Sequence, residues 1–139
     1  MEIATIHENP VSGKVIPYTT KTTQKMKRQI QELLDLKLIS KSNSPYACYA
    51  FMVLNHAEIL RGKTRMVVNY SPLNTITHDF QYPLPRPELI MQKIQDCGVF
   101  SKFDMKSGYY QIQLEEASRH KTAFSCPIGH FQWNVVPFG

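Results

Sequence analysis

The stretch VFSKFDMKSGYYQIQL, Val99 to Leu114, decides how the chain is read. Val99, Phe100 and Phe103 make a short apolar run that predicts a buried strand, and the run ends on a carboxylate, Asp104, followed by Lys106, Ser107 and Gly108. Ligands of open α/β sheets gather at the carboxyl ends of strands, so an aspartate there can hold a cation or a polar substrate. A strand-ending Asp ahead of a glycine can equally accept backbone N–H bonds in a turn. Spacing alone leaves both readings open.

Length and composition bound the rest. With 139 residues and 42% hydrophobic content the chain can bury one core, and one domain is expected. Val135-Val136-Pro137-Phe138-Gly139 carries an apolar strand into a turn dipeptide with no polar tail, the pattern expected of a cut through a larger unit. Lys and Arg number 16 against 11 Asp and Glu, a net charge of +5 that favours polyanionic partners. Much of the excess lies between Lys14 and Lys41, where a solvated helix face is an equal explanation, and a second group, Arg61, Lys63 and Arg65, flanks Gly62. Cys48, Cys97 and Cys126 are too few and too scattered for a disulfide framework, and Cys126 with His130 lacks the second pair a structural zinc needs. No signal-peptide pattern and no membrane-length apolar run is present, so a soluble protein without a membrane partner is expected.

In chain order, Pro10, Ser12, Gly13, Pro17 and the threonines predict an extended, weakly ordered arm over residues 1–20. From Thr23, the spacing of Met26, Ile30, Leu33, Leu34 and Leu38 predicts an amphipathic helix of three to four turns, capped by Thr22 or Thr23 and broken at Ser40 to Pro45. Ala50 to Leu54 and Arg65 to Tyr70 read as a hairpin with a long basic tip. Three cations at such a tip can close over a triphosphate, although an exposed turn that aids solubility needs no ligand. Tyr82 to Pro87 favours polyproline conformation, and Pro87 opens a helix with Leu89, Ile90 and Ile94 that Cys97-Gly98 closes. Gln111 to Leu114 is predicted as strand, Glu115 to His120 as a polar turn or short helix, and Thr122 to Ser125 with Phe131 to Val136 as a second hairpin. Tyr110, Phe124 and Trp133 are expected in the core.

Several of these stretches fit one pattern. Ser42-Asn43-Ser44-Pro45, the run Arg61 to Tyr70 with Leu73-Asn74, Tyr82-Pro83-Leu84-Pro85, Phe100 to Tyr109, Thr122-Ala123-Phe124 and Val136-Pro137-Phe138-Gly139, in this order, resemble reverse transcriptases. The resemblance covers residues 17 to 139; it is strongest to the plant pararetroviruses of the caulimovirus group and next to gypsy-type retrotransposons. It implies an α+β fold: the fingers and start of the palm of a right-hand polymerase, built of antiparallel hairpins with packed helices and truncated. The arm would occupy residues 1–20, the fingers 21–85, and the start of the palm 86–139, with finger elements near 115–139 and an incomplete C-terminus.

The resemblance also implies roles. Asp104 would be the first catalytic carboxylate, bridging two Mg²⁺ ions that activate the primer 3′-hydroxyl and stabilise the leaving pyrophosphate, with the Met105 carbonyl as a further metal ligand. Backbone N–H groups of Lys106, Ser107 and Gly108 would face the triphosphate of a deoxynucleotide. Tyr109 would exclude a ribose 2′-hydroxyl. Arg65 would hold the triphosphate with a second cation from Lys63 or Arg61, Phe138 and Gly139 would lie beside the nucleotide, and Asn69 would approach the template or serve the strand. The implied partners are an RNA or DNA template-primer, deoxynucleoside triphosphates and the remainder of a polymerase polyprotein, in cytoplasm or viral particles. Cys48-Tyr49 departs from the small residue and proline common in the family. No aspartate follows Asp104, so the family's Asp-Asp hairpin is missing and the chain alone is expected to be inactive. A non-catalytic nucleic-acid-binding module or a degenerate relic is the alternative reading.

Overall fold

Alternation along one short segment sets the architecture. In Cys48–Val53, strand β2, Cys48 and Ala50 are fully buried while Tyr49 and Phe51 are half-buried, so every second residue faces the core. The structure, a computed structural model, describes residues 1–53, 64–79 and 82–139. Strand β2 pairs antiparallel with β3, Arg65–Asn69, in the register Tyr49↔Asn69 to Val53↔Arg65, which is the expected hairpin. Its tip, with Leu54, Arg61 and Lys63, lies outside the described residues.

The other edge of β2 takes β4, Phe124–Cys126, in parallel, with Cys48 opposite Phe124. The second hairpin forms as expected, β4 running into β5, Gly129–Trp133, and β5 then pairs with β1, Ile39–Lys41. The sheet order is therefore β1-β5-β4-β2-β3. Both hairpins are antiparallel, as expected, and one parallel pairing joins them. Strands β2 and β4 point the same way because the long intervening chain crosses over between them, as parallel pairing requires. Strand β1 occupies part of the segment expected only to break the first helix.

That helix, α1, spans Thr20–Asp35, and its cap is Thr19 rather than Thr22 or Thr23. The Thr19 hydroxyl accepts from the Thr22 N–H and the Thr22 hydroxyl from the Thr19 N–H, a reciprocal box in which Thr22 is the inner member. Met26 and Ile30 are buried, with Leu33, Leu34 and Leu38 packed partly against the same core. Lys37 ends the helix at φ 57°, and the Leu38 and Lys37 N–H groups return to the carbonyls of Leu33 and Leu34. That turn aims the chain straight into β1.

Two strand expectations fail. Residues 99–103 form no strand, and Val99, Phe100 and Phe103 are 87%, 65% and 92% exposed. None of the five described strands pairs with this run, and an apolar pattern makes a strand only where a neighbour takes up its backbone groups. Gln111 to Leu114 yields a 3-10 turn, Gly108–Gln111, and one isolated bridge from Gln113 to Val135. Helix α2, Ser71–Ile76, follows β3, and helix α3, Pro87–Ile94, starts on its proline as expected but ends before Cys97-Gly98. The Leu89, Ile90 and Met91 side chains of α3 are exposed. Helix α4, Glu116–Arg119, matches the short polar helix, and Phe124 and Trp133 are core residues as expected. No described helix is long and apolar enough to cross a membrane.

The arm is extended, and it carries contacts that its composition does not announce. Backbone bridges tie Thr5 to Thr77 and Ser12 to Ala47, and the Ile3 N–H donates to the Ser118 hydroxyl at 3.0 Å. Lys121, 7% exposed, donates from Nζ to the Ile3 carbonyl at 3.2 Å, the Thr5 hydroxyl at 3.0 Å and the Glu8 carboxylate at 3.0 Å. A buried cation needs such partners. The hydrogen bond from Lys121 holds the Glu8 carboxyl below the usual glutamate range.

Replacing Lys121 with alanine leaves the Ile3 carbonyl and Thr5 hydroxyl without their donor. It is expected to cost about 1–3 kcal/mol in urea unfolding. Because the pKa of Glu8 is lowered in the folded chain, its contribution is complete above the ordinary glutamate range and is lost as pH falls through the lowered value. The protection of the Ile3 amide, measured relative to the intrinsic exchange rate at each pH, should therefore fall on acidification, by a modest factor since Glu8 is solvent-screened. Thiol labelling at pH 8 should modify exposed Cys97 at once and reach Cys48 only on unfolding, because burial pushes the Cys48 thiol up to about 11.

Candidate active site

The chain from Asp104 to Tyr110 is a tight turn built on one unusual backbone conformation. Ser107 adopts φ 51° and ψ 50°, a left-handed geometry that costs a side-chain-bearing residue about 1–2 kcal/mol. It is stabilised from both sides: the Tyr110 N–H donates to the Ser107 carbonyl at 2.9 Å, and the Gln111 side-chain amide donates to the Lys106 carbonyl at 2.9 Å.

The turn directs two adjacent aromatics onto a third. Tyr109 and Tyr110 each meet Phe138 edge-on with ring centroids 5.0 Å apart, and Tyr110 stacks on Trp133 at 5.3 Å. Burial raises the Tyr110 phenol above its ordinary pKa, consistent with its packing role. Tyr109 stays exposed. It is thus the outer ring of a cluster whose base is the core residue Trp133.

Gly139 continues this cluster to the edge of the sheet. At φ 103°, a conformation suited to glycine, it lies so close to β3 that a Cβ would stand 3.4 Å from the Val68 carbonyl oxygen and 3.7 Å from the Tyr70 ring. The Asn74 side-chain amide donates to the Gly139 carbonyl at 2.7 Å. Tyr70 is itself fixed, its buried hydroxyl donating to the Thr122 carbonyl at 2.7 Å. Burial holds that phenol well above its usual range.

Of the residues singled out from sequence, contacts therefore join Tyr109, Phe138, Gly139 and the backbone of β3. Arg65 and Asn69 stand on that strand four residues apart, exposed and on one face, with Arg65 opposite Val53. The Asn69 side-chain oxygen accepts from the Ser71 N–H at 3.1 Å, so it helps turn the chain into α2. Asp104, Met105, Lys106 and Ser107 are exposed, and no hydrogen bond or ion pair joins Asp104 to the other candidates among the described residues. Arg61 and Lys63 lie outside them. The hold of Asn74 on Gly139 has no signal in the sequence beyond the place of Asn74 beside Leu73.

The Asp104 carboxylate and the Met105 carbonyl are hard oxygen donors of the kind Mg²⁺ prefers. They fit part of a ligand set. Among the described residues no group of three His, Cys, Asp or Glu side chains could hold a metal by itself.

Known proteins share both the sequence pattern and the fold of this chain. The pattern of the family described as reverse transcriptase (RNA-dependent DNA polymerase) matches residues 39–139. The enzymatic polyprotein of cauliflower mosaic virus (strain Strasbourg) is 48% identical over 129 residues, 93% of this chain and 19% of the relative. That of soybean chlorotic mottle virus is 48% identical over 125 residues, 89% of this chain and 18% of the relative. The chain thus spans about a fifth of the curated relatives it matches. Among solved structures, the protease-reverse transcriptase of prototype foamy virus (CSH mutant) superposes with a TM-score of 0.78 at 22% identity, covering 99% of this chain and 18% of that one. That likeness carries the mixed α and β fold. Sequence pattern and fold together place the chain in the reverse transcriptase family, RNA-directed DNA polymerases, as a segment similar to part of the caulimovirus enzymatic polyproteins.

Proposed function

We propose that this chain forms the fingers, residues 21–85, and the start of the palm, residues 86–139, of a polymerase that copies RNA or DNA from deoxynucleoside triphosphates. The observation that carries the reading is the packing of Tyr109 on Phe138, with Gly139 seated against the strand that bears Arg65. An exposed aromatic and a cation on the edge strand are the kinds of group that the sugar and phosphates of a nucleoside triphosphate need. Asp104 and the Met105 carbonyl would hold the metal ions, and bound Mg²⁺ supplies the Lewis acid that activates a hydroxyl and offsets phosphate charge. Arg65 binds phosphate oxygens in a charge-assisted fork. Tyr109, backed by Phe138, presents a wall against the sugar and thereby selects deoxyribose. The backbone of Lys106, Ser107 and Gly108 faces the phosphates, and Asn69 lies toward the template. A net charge of +5 favours the nucleic acid.

One carboxylate cannot offset the repulsion of two adjacent dications. The chain alone therefore binds template-primer without extending it. Grafted in place of the matching segment of the cauliflower mosaic virus polyprotein, it is expected to support Mg²⁺-dependent primer extension. Within that graft, Asp104→Asn should reduce extension to background, and Tyr109→Ala should raise ribonucleotide use relative to deoxyribonucleotide by about 10–200-fold. Extension by the Asp104→Asn graft at the unsubstituted rate, or by the isolated chain, would contradict the assignment.

A further inference from the structure

Among the described residues strand β3 lies at one edge of the sheet, so alternate backbone groups along its outer side have no described strand to bond. With Met66 opposite Met52, the Met66 N–H points outward. It does not go unmet: the Gln29 side-chain oxygen accepts from it at 2.8 Å, and the Gln29 side-chain nitrogen donates to the Thr64 carbonyl. A carboxamide presents one acceptor and two donors on a planar group, the same pairing that a peptide unit of a neighbouring strand would offer. One side chain of α1 thus stands in for a sixth strand over the first half of β3. Farther along, Gly139 comes close to the Val68 carbonyl on the same strand.

The two bonds straddle Arg65. One holds the residue before it and one the residue after it, so the backbone from which the guanidinium projects is fixed at both flanks. Gln29 is itself placed by the core, since its helix neighbours Met26 and Ile30 are buried and Gln29 is half-buried beside them. Other side chains of similar length fail at one or both points. Glutamate keeps the acceptor for Met66 but sets a carboxylate against the Thr64 carbonyl, and leucine or methionine offers neither donor nor acceptor.

We propose that Gln29 is a positioning residue for triphosphate binding, locking the Arg65 segment of β3 to helix α1; this rests on the nucleotide reading of Arg65 given above. A contact that merely held the sheet together would lower stability without being coupled to Arg65. A positioning contact loses its effect once Arg65 is gone.

The test uses this chain, dATP with Mg²⁺ as the probe, and the variants Gln29→Leu, Gln29→Met, Arg65→Ala and the double variant Gln29→Leu/Arg65→Ala. Binding is followed by amide chemical shifts, with hydrogen exchange at Met66 read in parallel. Gln29→Leu and Gln29→Met should each speed Met66 exchange and weaken dATP binding about tenfold, the range that two lost hydrogen bonds allow. The double variant should bind no more weakly than Arg65→Ala, because the two substitutions remove one interaction. Additive losses, or wild-type affinity in the Gln29 variants beside a weakened Arg65→Ala, would overturn this inference alone. Wild-type affinity in Arg65→Ala would overturn the nucleotide reading and the inference with it.

Discussion

Strand β2 must be bonded along both edges, and the rest of the molecule follows from how that is done. Its antiparallel partner comes from the adjacent sequence, but its parallel partner, β4, arrives only after a long crossover. On its inward face Cys48 and Ala50 are fully buried, and the Tyr18 hydroxyl donates to the Ala50 carbonyl at 2.6 Å. Joining the first hairpin to the second in one sheet brings the Arg65 strand and the chain after Trp133 to the same neighbourhood. Gly139 can then rest on β3. Without the β2–β4 pairing there would be two separate hairpins, and Gly139 would not lie against β3.

The same constraint explains how firmly the two halves of the candidate site are held. The sheet-side half is held by Asn74 on Gly139, Tyr70 on Thr122 and Gln29 on the flanks of Arg65. The carboxylate half is tied down only from Ser107 onward, where a strained turn sets Tyr109 and Tyr110 against Phe138. Between α3 and that turn, Val99, Phe100 and Phe103 present apolar side chains to solvent. Side chains of this type gain stability only against a partner surface, and none of the described elements provides one.

Local patterns were legible in the sequence wherever the deciding interaction was itself local. The α1 stripe of Met26 and Ile30, the two hairpins, the proline-led α3 and the core placement of Phe124 and Trp133 all rest on periodicity or on turn residues. The apolar run before Asp104 carried an equally clear strand signal and yet forms none. Periodicity describes which face a segment would bury, and says nothing about whether another strand lies alongside. The cap falls on Thr19, the outer member of the box whose inner member is Thr22. The Lys121 clasp, the Gln29 bridge and the hold of Asn74 on Gly139 join residues far apart in the chain through backbone groups, which leave no mark on sequence. Of the residues that the family resemblance singles out, Tyr109 packs on Phe138 and Gly139 lies against β3.

The central claim is that the turn after Asp104 and the strand bearing Arg65 serve one bound nucleotide. Manganese, an oxygen-seeking substitute for magnesium that broadens nearby amide signals, tests it most directly when added with dATP to the isotopically labelled chain. The account predicts that the amides of Asp104, Met105, Tyr109, Arg65 and Gly139 broaden together, and that they do so only when dATP accompanies the metal at the concentrations used. Broadening confined to Asp104 and Met105, with Arg65 and Gly139 sharp whether or not dATP is present, would contradict it.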